Sequence, residues 1–542
     1  MQIKSRDYFL ITLSALFIFT SCKKSNTQGR HIPKNAAFVL HVNGESINSK
    51  LPWEEIKKNE AFQSMYADTS LSAYMRSAMD NPENTGIDIK NDFIIFFQKD
   101  SAGDYLSVQG VLKDAAKFRQ FNNEVHKTTT ETEKEGIHFL SNDQMTASWN
   151  KDKFILVMNE HGKGIPMNMN DSMPRFSKPF HDRDLNALSS QLFALSEDNS
   201  LAKDERFSQL LNTKGDLHFW VNGQTIGEGM VMPGPMSMVN MSKLYEGSLV
   251  TGTASFDEGQ INADIKSYSG KEMGELWKKY GGEKINNEMV KRIPSKDIAL
   301  LMALSFKPEG LKEFLKVMGL EGFANMGTNM YGFTLDDLVK GLKGDVVLSV
   351  SNISRDSMGK HNFSVLFSPS IADKASFEKL VNAGNKITKE KLGDTAPSFI
   401  FHNTSAEYFA IGNNKADVDA YIQGNANNNF PFLDKISGNP LGVYINFQYL
   451  MNSMQPSAIS DSLSMASYNA SVKMWDNLLA YGGKFSDGGI SEHIEINLLD
   501  KKTNSLKQLN NYLGVMAGID KMKKSRQVTF EVPIPADSIK TK

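Results

Sequence analysis

The single cysteine, Cys22, is the residue of this chain with the most specific chemistry. It follows two basic residues and a mostly apolar run, residues 8–20. That run is too short for a permanent membrane span, which needs roughly 20 residues, and this order of segments is typical of an export signal. A thiol ending such a leader predicts lipid attachment. The alternatives are an unlipidated signal peptide and a cysteine that serves only as a small apolar residue.

The ten histidines do not form a metal-binding pattern, because none stands in H-x-H, H-x₃-H or H-E-x-x-H spacing. A zinc site assembled from distant positions is the alternative to single surface or strand histidines. The chain also lacks the G-x-S-x-G elbow and the G-x₄-G-K-[ST] phosphate loop. The sequence therefore predicts no catalytic residues, no metal and no cofactor, and an enzyme remains a lesser alternative.

Methionine is abundant, with 27 residues, and five of them cluster around the turn Pro233-Gly234-Pro235. These five are Met230, Met232, Met236, Met238 and Met241. Thioethers are soft copper ligands, adaptable apolar surface, or simple core filler. No cysteine or histidine lies in the cluster, which counts against copper. We interpret the cluster as a candidate surface for a partner or an apolar ligand, with core filling as the alternative.

Six Asp-Ser or Asp-Thr pairs are followed by a small or apolar residue, where composition alone would give roughly two. Their hydroxyl residues are Ser101, Ser172, Ser357, Thr395, Ser462 and Ser538. Such pairs suit turns and helix caps. The pattern also resembles the O-glycosylation sequon of exported proteins in Bacteroidota. The six hydroxyls are therefore candidate glycosylation sites.

Composition excludes several classes of protein. The 60 basic and 62 acidic residues nearly cancel, which gives no electrostatic argument for binding nucleic acid. One cysteine cannot form a disulfide within the chain, and no later apolar run reaches 18 residues. Stability must come from packed cores, for which 542 residues are ample.

The chain repeats itself in sequence. Residues 32–40 (IPKNAAFVL) recur as residues 293–301 (IPSKDIALL), and each opens with a predicted strand followed by a helix. Further matched segments are 91–97 with 344–350, 105–108 with 363–366, 217–222 with 441–446, and 256–261 with 485–490. Amphipathic helices around Phe118 and Phe377 also correspond. The spacing predicts two homologous domains.

Each copy begins β-α-β-β-α-β, the order of a ferredoxin-like unit, and continues with hairpin-linked strands and further helices. The predicted fold class is α+β, with two tandem homologous domains of antiparallel sheet and packed helices. The predicted segments are a signal peptide (1–21), a tether (22–31), repeat domain 1 (31–285), repeat domain 2 (290–518) and a C-terminal tail (519–542). A polar linker is expected between the domains, and a last strand is expected at residues 528–532.

The order of these motifs resembles an uncharacterised family of Bacteroidota envelope lipoproteins, a domain of unknown function (DUF4836). The resemblance rests on the Cys22 leader, on Ile32-Pro33 with the strand from Phe38 to Asn43, and on the strand end Val221-Asn222-Gly223. The leader end, residues 19–22, resembles a lipobox with phenylalanine where leucine is commoner. The resemblance would cover nearly the whole mature chain, and it implies no known activity.

We therefore expect a non-catalytic envelope lipoprotein with a binding or structural role. The alternative is a periplasmic carrier of an apolar or lipid ligand, and the lesser alternative is an enzyme or glycan-binding protein. The expected partners are the membrane, through the lipid anchor, and either an envelope protein or an apolar ligand. Lys23 and Lys24 follow Cys22, so the acidic run that resembles a surface-export signal in these bacteria is absent. We therefore expect the protein at the outer membrane, facing the periplasm.

Overall fold

The computed structural model describes residues 27–69, 71–99, 103–125, 130–142, 144–159, 183–227, 239–356, 359–392, 400–455 and 461–528. The strands in these residues are β1 (Phe38–Val42), β2 (Phe93–Gln98), β3 (Tyr105–Val111), β4 (Thr132–Lys134), β5 (Ile137–Ser141), β6 (Met145–Trp149), β7 (Lys153–Asn159), β8 (Leu217–Asn222), β9 (Leu249–Asp257), β10 (Gln260–Tyr268), β11 (Ile298–Ser305), β12 (Leu342–Arg355), β13 (His361–Ile371), β14 (Phe401–Thr404), β15 (Phe409–Gly412), β16 (Leu441–Asn446), β17 (Trp475–Ser486) and β18 (Gly489–Leu498).

The α-helices in the same residues are α1 (Gly44–Lys50), α2 (Trp53–Ile56), α3 (Glu60–Tyr66), α4 (Ala73–Asp80), α5 (Ala115–Val125), α6 (Leu185–Phe193), α7 (Glu205–Asn212), α8 (Gly223–Gly227), α9 (Ser242–Tyr245), α10 (Lys271–Tyr280), α11 (Asn287–Lys291), α12 (Glu309–Val317), α13 (Glu321–Tyr331), α14 (Leu335–Gly341), α15 (Lys374–Leu392), α16 (Lys415–Gln423), α17 (Leu433–Ile436), α18 (Phe447–Ser453), α19 (Ser462–Val472) and α20 (Ser505–Val528). Among these helices, none combines the length and the apolar character that crossing a membrane requires.

Local sequence explains many of these boundaries. In β2, Ile94, Phe96 and Gln98 are buried and alternate with more exposed residues, as the period of a strand requires. Helix α12 begins after Pro308, and Gly319, with φ of +71°, lies in the turn that follows it. The predicted hairpin turns contain Gly259 and Gly488 at positive φ, the conformation that favours glycine.

The strands form one antiparallel sheet. Its order is β4-β5-β6-β7-β3-β2-β1-β8-β9-β10-β18-β17-β16-β11-β12-β13-β15-β14. We call β1–β10 the first half and β11–β18 the second half. They meet at the β10–β18 pair. The fold is α+β with a large antiparallel sheet, as predicted.

Four hydrophobic cores pack against this sheet, two in each half. The larger core of the first half surrounds Phe96 and Trp220, and the smaller one surrounds Phe118 and Trp149. The second half has a large core around Tyr421, and the described part of its small core contains three buried residues, Ile371, Phe377 and Phe409. Among the described residues, the outer edge of the second half therefore buries fewer side chains than the outer edge of the first.

The predicted polar linker between the halves is wrong. Residues 287–291 form α11, and Met289 and Val290 are fully buried in the large core of the second half. On the more exposed side of this short helix, Glu288 and Lys291 pair with each other at 3.0 Å, whereas Asn287 donates to the hydroxyl of Ser437. The predicted last strand is also wrong at its start, because Val528 ends α20; residues 529–542 lie outside the described residues.

Each half is completed by a helix from the other half. Helix α10, which follows β10, packs on α12 of the second half, and α20, which follows β18, packs on α3 of the first half. The second contact is close: Asn59 Nδ2 donates to the carbonyl of Asn510 at 2.7 Å, and a Cβ on Gly514 would approach the Asn59 side chain to 3.1 Å. Packing thus joins the halves in addition to the shared sheet.

Candidate functional site

A groove of about 730 Å³ lies between α15 and the outer strands of the second half. We call it the α15 groove. Its apolar lining residues are Phe367, Pro369, Phe377, Leu380, Val381, Gly384, Ile400, Phe409 and Ile411. A mostly apolar concavity of this size is typical of sites for small ligands.

The helical wall of the groove follows from the spacing of α15. Phe377, Leu380, Val381 and Gly384 recur at i, i+3, i+4 and i+7 and share one helix face. Phe377 anchors this face by packing on Phe409 of β15, with ring centroids 5.3 Å apart. At Gly384 the face has no side chain, and an added Cβ would meet no atom within 4 Å. The groove therefore opens along the second part of the helix.

A comparison of the two sheet edges explains why the groove is open. In the first half, β6 pairs with β7 so that Trp149 lies opposite Phe154, and Trp149 is 1% exposed against Phe118. In the second half, β14 takes the place of β6, and the residue opposite Phe409 is the exposed Thr404. The first edge is thus filled by an indole where the second has a small side chain. In addition, β15 has four residues where β7 has seven.

Three of the four polar lining residues of the groove lie in the C-terminal part of α15. Asn385, Thr388 and Lys389 come from the helix, and His402 comes from β14, where its ring stacks on Phe409 at 5.7 Å. From Phe377 to Lys389 the helix rises about 18 Å at 1.5 Å per residue. The groove therefore extends along α15, and the polar side chains of this helix lie in its C-terminal part.

A second concavity, of about 610 Å³, lies beside the groove and is mostly polar. Two of its amide side chains are used by the fold. Asn413 donates to the Phe363 carbonyl and accepts from the Val365 amide, and Asn414 caps α16. These two amides therefore hold strands and a helix in place.

A buried polar chain lies in the first half, where His41 of β1 and His218 of β8 stand directly opposite each other. The carbonyl of Thr213 accepts from His218 Nε2 at 2.8 Å, so His218 Nδ1 accepts from His41 Nδ1 at 3.1 Å. Nε2 of His41 lies 3.3 Å from the Asp92 carboxylate. Burial lowers the pKa of His218. Burial also opposes ionisation of Asp92, but hydrogen bonds, first from His41, outweigh it and hold the pKa of Asp92 below its ordinary value.

A fully buried carboxylate, Asp216, lies next to this chain of polar side chains and is 1% exposed. It accepts from Lys50 Nζ and from the amide of Phe256, both at 2.6 Å, and from the hydroxyl of Ser46. Every charge here has a partner within the fold, and neither histidine lies in the groove. In the described part of the chain, no three His, Cys, Asp or Glu residues are arranged to hold a metal ion. We interpret the polar cluster around His41, His218 and Asp216 as structural.

Most of the site residues predicted from sequence lie outside the described residues. These are Cys22, Ser101, Ser172, Ser357, Thr395, Ser538, Met230, Met232, Met236 and Met238. Ser462 is the first residue of α19, and the preceding Asp461 caps this helix by accepting from the amides of Leu463 and Ser464. Here the Asp-Ser pair serves as a helix cap. Met241 is half-buried and directly precedes α9.

Sequence reasoning missed the α15 groove and an exposed apolar stripe on α13. Phe323, Met326 and Met330 of α13 are 42, 68 and 62% exposed. The signal for the groove was Gly384, a residue without a side chain on the core-facing stripe of a long helix. The signal for the stripe was the spacing i, i+3, i+7 in a segment with a single charged residue, Glu321.

The fold and the groove define a class of protein: a long antiparallel sheet with helices packed on it and an apolar groove at one edge. Within that class, the chain belongs to the family described as Domain of unknown function (DUF4836), whose model matches residues 30–400. No curated protein matches the chain. Two solved structures to which it is similar are crystal forms IV and III of TP0453, at 9 and 10% identity, covering 44 and 45% of this chain and 79% of each of those chains, with TM-scores of 0.27.

Proposed function

We propose that this protein is a non-catalytic, lipid-anchored protein of the cell envelope that carries an apolar chain in the α15 groove. The carrying observation is the groove itself, an elongated space of about 730 Å³ with nine apolar lining residues. Ligand sites of this size typically combine such a lining with a few polar groups. A ligand would complete the thin core in which Phe377 and Phe409 now stand beside open space.

The leader supports the anchor and the location. Cys22 precedes the first described residue, Thr27, by five positions. The N-terminal segment is then fixed, because Ile32 is fully buried and the amide of Lys34 bonds to the carbonyl of Asn199. Five residues reach at most about 18 Å even when they are fully extended. A lipidated Cys22 would hold the first half against the membrane, in our proposal the outer membrane on its periplasmic side.

The duplication is part of the same proposal. Outward from β10 the strand order is β9-β8-β1-β2-β3-β7-β6, and outward from β18 it is β17-β16-β11-β12-β13-β15-β14. The two series have the same sequence of connections. This supports two tandem copies, residues 31–285 and 290–518, each with a ferredoxin-like start. In this view the second copy has no large side chain equivalent to Trp149, and the groove lies where that side chain would be.

The α13 stripe favours a second candidate function, docking of an envelope protein through an apolar helix face. The exposed methionines of α13 belong to a flexible side-chain type that adapts to partner surfaces. The predicted methionine surface ends nearby, because the amide of Asn240 bonds to the carbonyl of Met318 at 3.0 Å. Replacing Met326 and Met330 by serine should abolish cross-linking to such a partner in native envelopes, and unchanged cross-linking would exclude this site.

Filling the groove tests the carrier proposal. Gly384→Phe places a ring in the open space without meeting another atom near its Cβ, and Gly327→Phe on α13 is the matched control because its Cβ is equally unobstructed. The neutral fluorophore N-phenyl-1-naphthylamine should bind the unaltered protein and Gly327→Phe alike. Gly384→Phe should weaken its binding at least tenfold and reduce lipid in organic extracts of the purified protein. Equal binding by all three proteins would overturn the proposal.

A further inference from the structure

The sheet face beneath the α15 groove continues beyond the groove. Phe367 of β13 and Ile411 of β15, which both line the groove, are directly paired, and directly paired residues of antiparallel strands lie on the same face. Following the pairs away from the groove gives one row of residues, which we call the apolar row: Phe367, Leu348, Met302, Val443, Ala480, Ile494 and Ala263. The row crosses from β13 to β10, a distance of about 29 Å at about 4.8 Å between neighbouring strands.

A second row lies two positions away along each strand, and its members are again all apolar. They are Val365, Val350, Leu300, Ile445, Leu478, Ile496 and Ile261. Among the members of both rows, none is fully buried and none belongs to the four cores of the described chain. On the opposite face of the same strands, Leu301, Val347 and Leu479 are only 0, 2 and 4% exposed. The opposite face is therefore closed by a packed core, whereas this face is not.

A layer of helices lies over this face. From α15 the layer continues to α14, because Lys379 Nζ donates to the carboxylate of Asp337 at 2.7 Å. It continues from α14 to α12, because Lys312 Nζ donates to the carboxylate of Asp336 at 2.9 Å. Helix α10 packs on α12 and ends the layer. The helix order α15-α14-α12-α10 thus follows the apolar row from the outer edge toward the junction.

Both ends of this layer touch the sheet on the face of the apolar row. At the outer end, Phe377 of α15 packs on Phe409 of β15. At the junction end, a Cβ on Gly274 of α10 would lie 3.9 Å from the ring of Phe485, whose pair Ile490 is on the face of the row. Between these ends, Gly310 is the single buried residue of α12. Water therefore reaches apolar side chains on both walls, although protein interiors are normally close-packed.

We infer that the α15 groove extends as an apolar space between this helix layer and the two rows, and that the ligand is a lipid with two or more long acyl chains. One chain occupies the groove, and another lies over the apolar row toward β17. This inference rests on the proposed carrier function and deepens it, because it names the ligand class and the residues that the ligand contacts outside the groove.

The two walls select the kind of occupant. Because α15, α14, α12 and α10 already cover the face, the space between the layers is too narrow for a second protein and suits a thin, flexible chain. The fourteen residues of the two rows supply no polar side chain, so a peptide or a glycan would leave its polar groups there without partners. Burial of methylene groups is favourable by about 0.8 kcal/mol each, which makes acyl chains the ligand that gains most from this lining.

A pair of lipids with the same head group tests the inference. Protein freed of lipid in detergent is titrated with dioleoyl phosphatidylcholine or with oleoyl lysophosphatidylcholine, and native mass spectrometry measures the bound fraction. The lipid with two chains should half-saturate the unaltered protein at a concentration at least tenfold lower than the lipid with one chain. Gly384→Phe, which fills the groove, should weaken both lipids.

Variants in the apolar row separate the row from the groove. Ala480 lies four strands from Phe367, about 19 Å away. Ala480→Phe and Met302→Gln should each weaken dioleoyl phosphatidylcholine fivefold or more and leave the lysolipid unchanged. Met65→Gln is the matched control for Met302→Gln, because Met65 is 58% exposed in the first half and lies outside both rows. It should change nothing.

The outcomes distinguish the inference from the carrier function. Binding of both lipids that is unaffected by Ala480→Phe and by Met302→Gln would overturn the inference and leave the groove as the carrier site. So would a lower denaturation midpoint of Ala480→Phe combined with normal lipid binding by Met302→Gln, since the added ring would then overpack a closed interior. Failure of both lipids and of N-phenyl-1-naphthylamine to bind the unaltered protein would overturn the carrier function itself.

Discussion

Oδ1 of Asp264 lies 2.7 Å from Nδ1 of His493, at the fifth of the nine paired positions between β10 and β18. The pair therefore stands at the midpoint of the junction between the halves. Beside it, the buried carboxylate of Glu495 accepts from Gln260 of the first half at 3.0 Å and from Lys435 of the second. The junction is thus a continuous hydrogen-bonded sheet with a polar centre, and each half depends on the other.

The contact between α20 and α3 should matter for the stability of the first half. Gly514→Val raises helix propensity but displaces Asn59, which caps α3 by accepting from the Ala61 amide. We expect the free energy of unfolding to fall by about 1–2 kcal/mol, and hydrogen exchange in α3 to accelerate. Gly327→Val is the control, since its Cβ meets nothing within 4 Å. Unaltered exchange in α3 would contradict the packing described.

Trp149 should be among the most costly side chains to truncate. It is 1% exposed, with its ring 5.6 Å from that of Phe118 and 5.4 Å from that of His138. Trp149→Ala leaves a cavity at the first sheet edge and should cost about 3–5 kcal/mol of unfolding free energy. Trp277→Ala, at a site 38% exposed, should cost much less. Chemical denaturation measures both, and similar losses would show that the first edge is not closed as described.

Asp216 should act as a structural carboxylate whose removal leaves a charge without its partner. Asp216→Ala deprives Lys50 Nζ and the Phe256 amide of their acceptor in a buried setting. We expect a loss of about 3–5 kcal/mol of unfolding free energy, measured by urea denaturation at pH 7. The control is Glu283→Ala, because that carboxylate is exposed and lies 3.8 Å from Lys307. Its effect should stay within about 0.5 kcal/mol.

Stability should fall between pH 6.5 and pH 4 because of His31. Burial, reinforced by the charge of Lys153, lowers the pKa of this imidazole to about 4, whereas in the unfolded chain it is about 6.5. The folded state therefore binds the proton less readily, and stability is complete above pH 6.5 and is lost toward pH 4. The loss is at most about 3 kcal/mol and is reduced by solvent screening.

His31→Gln removes this titrating group. The difference between unfolding free energies at pH 7 and pH 4.5 should shrink in this variant by about 2 kcal/mol, after allowance for screening. An identical pH dependence in the variant and the unaltered protein would exclude His31 as the cause.

The local sequence pattern was sufficient to predict the fold class and most of the helices and strands. Alternating burial in β2 and the glycine turns at Gly259 and Gly488 follow from neighbours in sequence, and they were predictable. The pairing of β10 with β18 was not, because both strands already have hairpin partners and nothing in their period specifies a second neighbour. The packing of α10 and α20 on helices of the opposite half could not be predicted either, because the apolar face of a helix does not specify which half it covers.

The groove was also beyond prediction from the sequence. A groove forms where the facing elements have no large side chains, here at Gly384 on α15 and at Thr404 on β14. Each residue is ordinary alone, and their coincidence appears only once the strand register is known. The buried His41–His218 pair is similar, because two residues 177 positions apart become neighbours through the pairing of β1 with β8.

The bond between Asn59 and Asn510 joins residues 451 positions apart, and this separation orders events during synthesis. A chain synthesised from its N-terminus presents α3 long before α20 exists, so the first half emerges with one of its helices uncovered. Its surface closes only after both halves have been synthesised. Until then the nascent chain offers a binding site for chaperones that the finished protein no longer has.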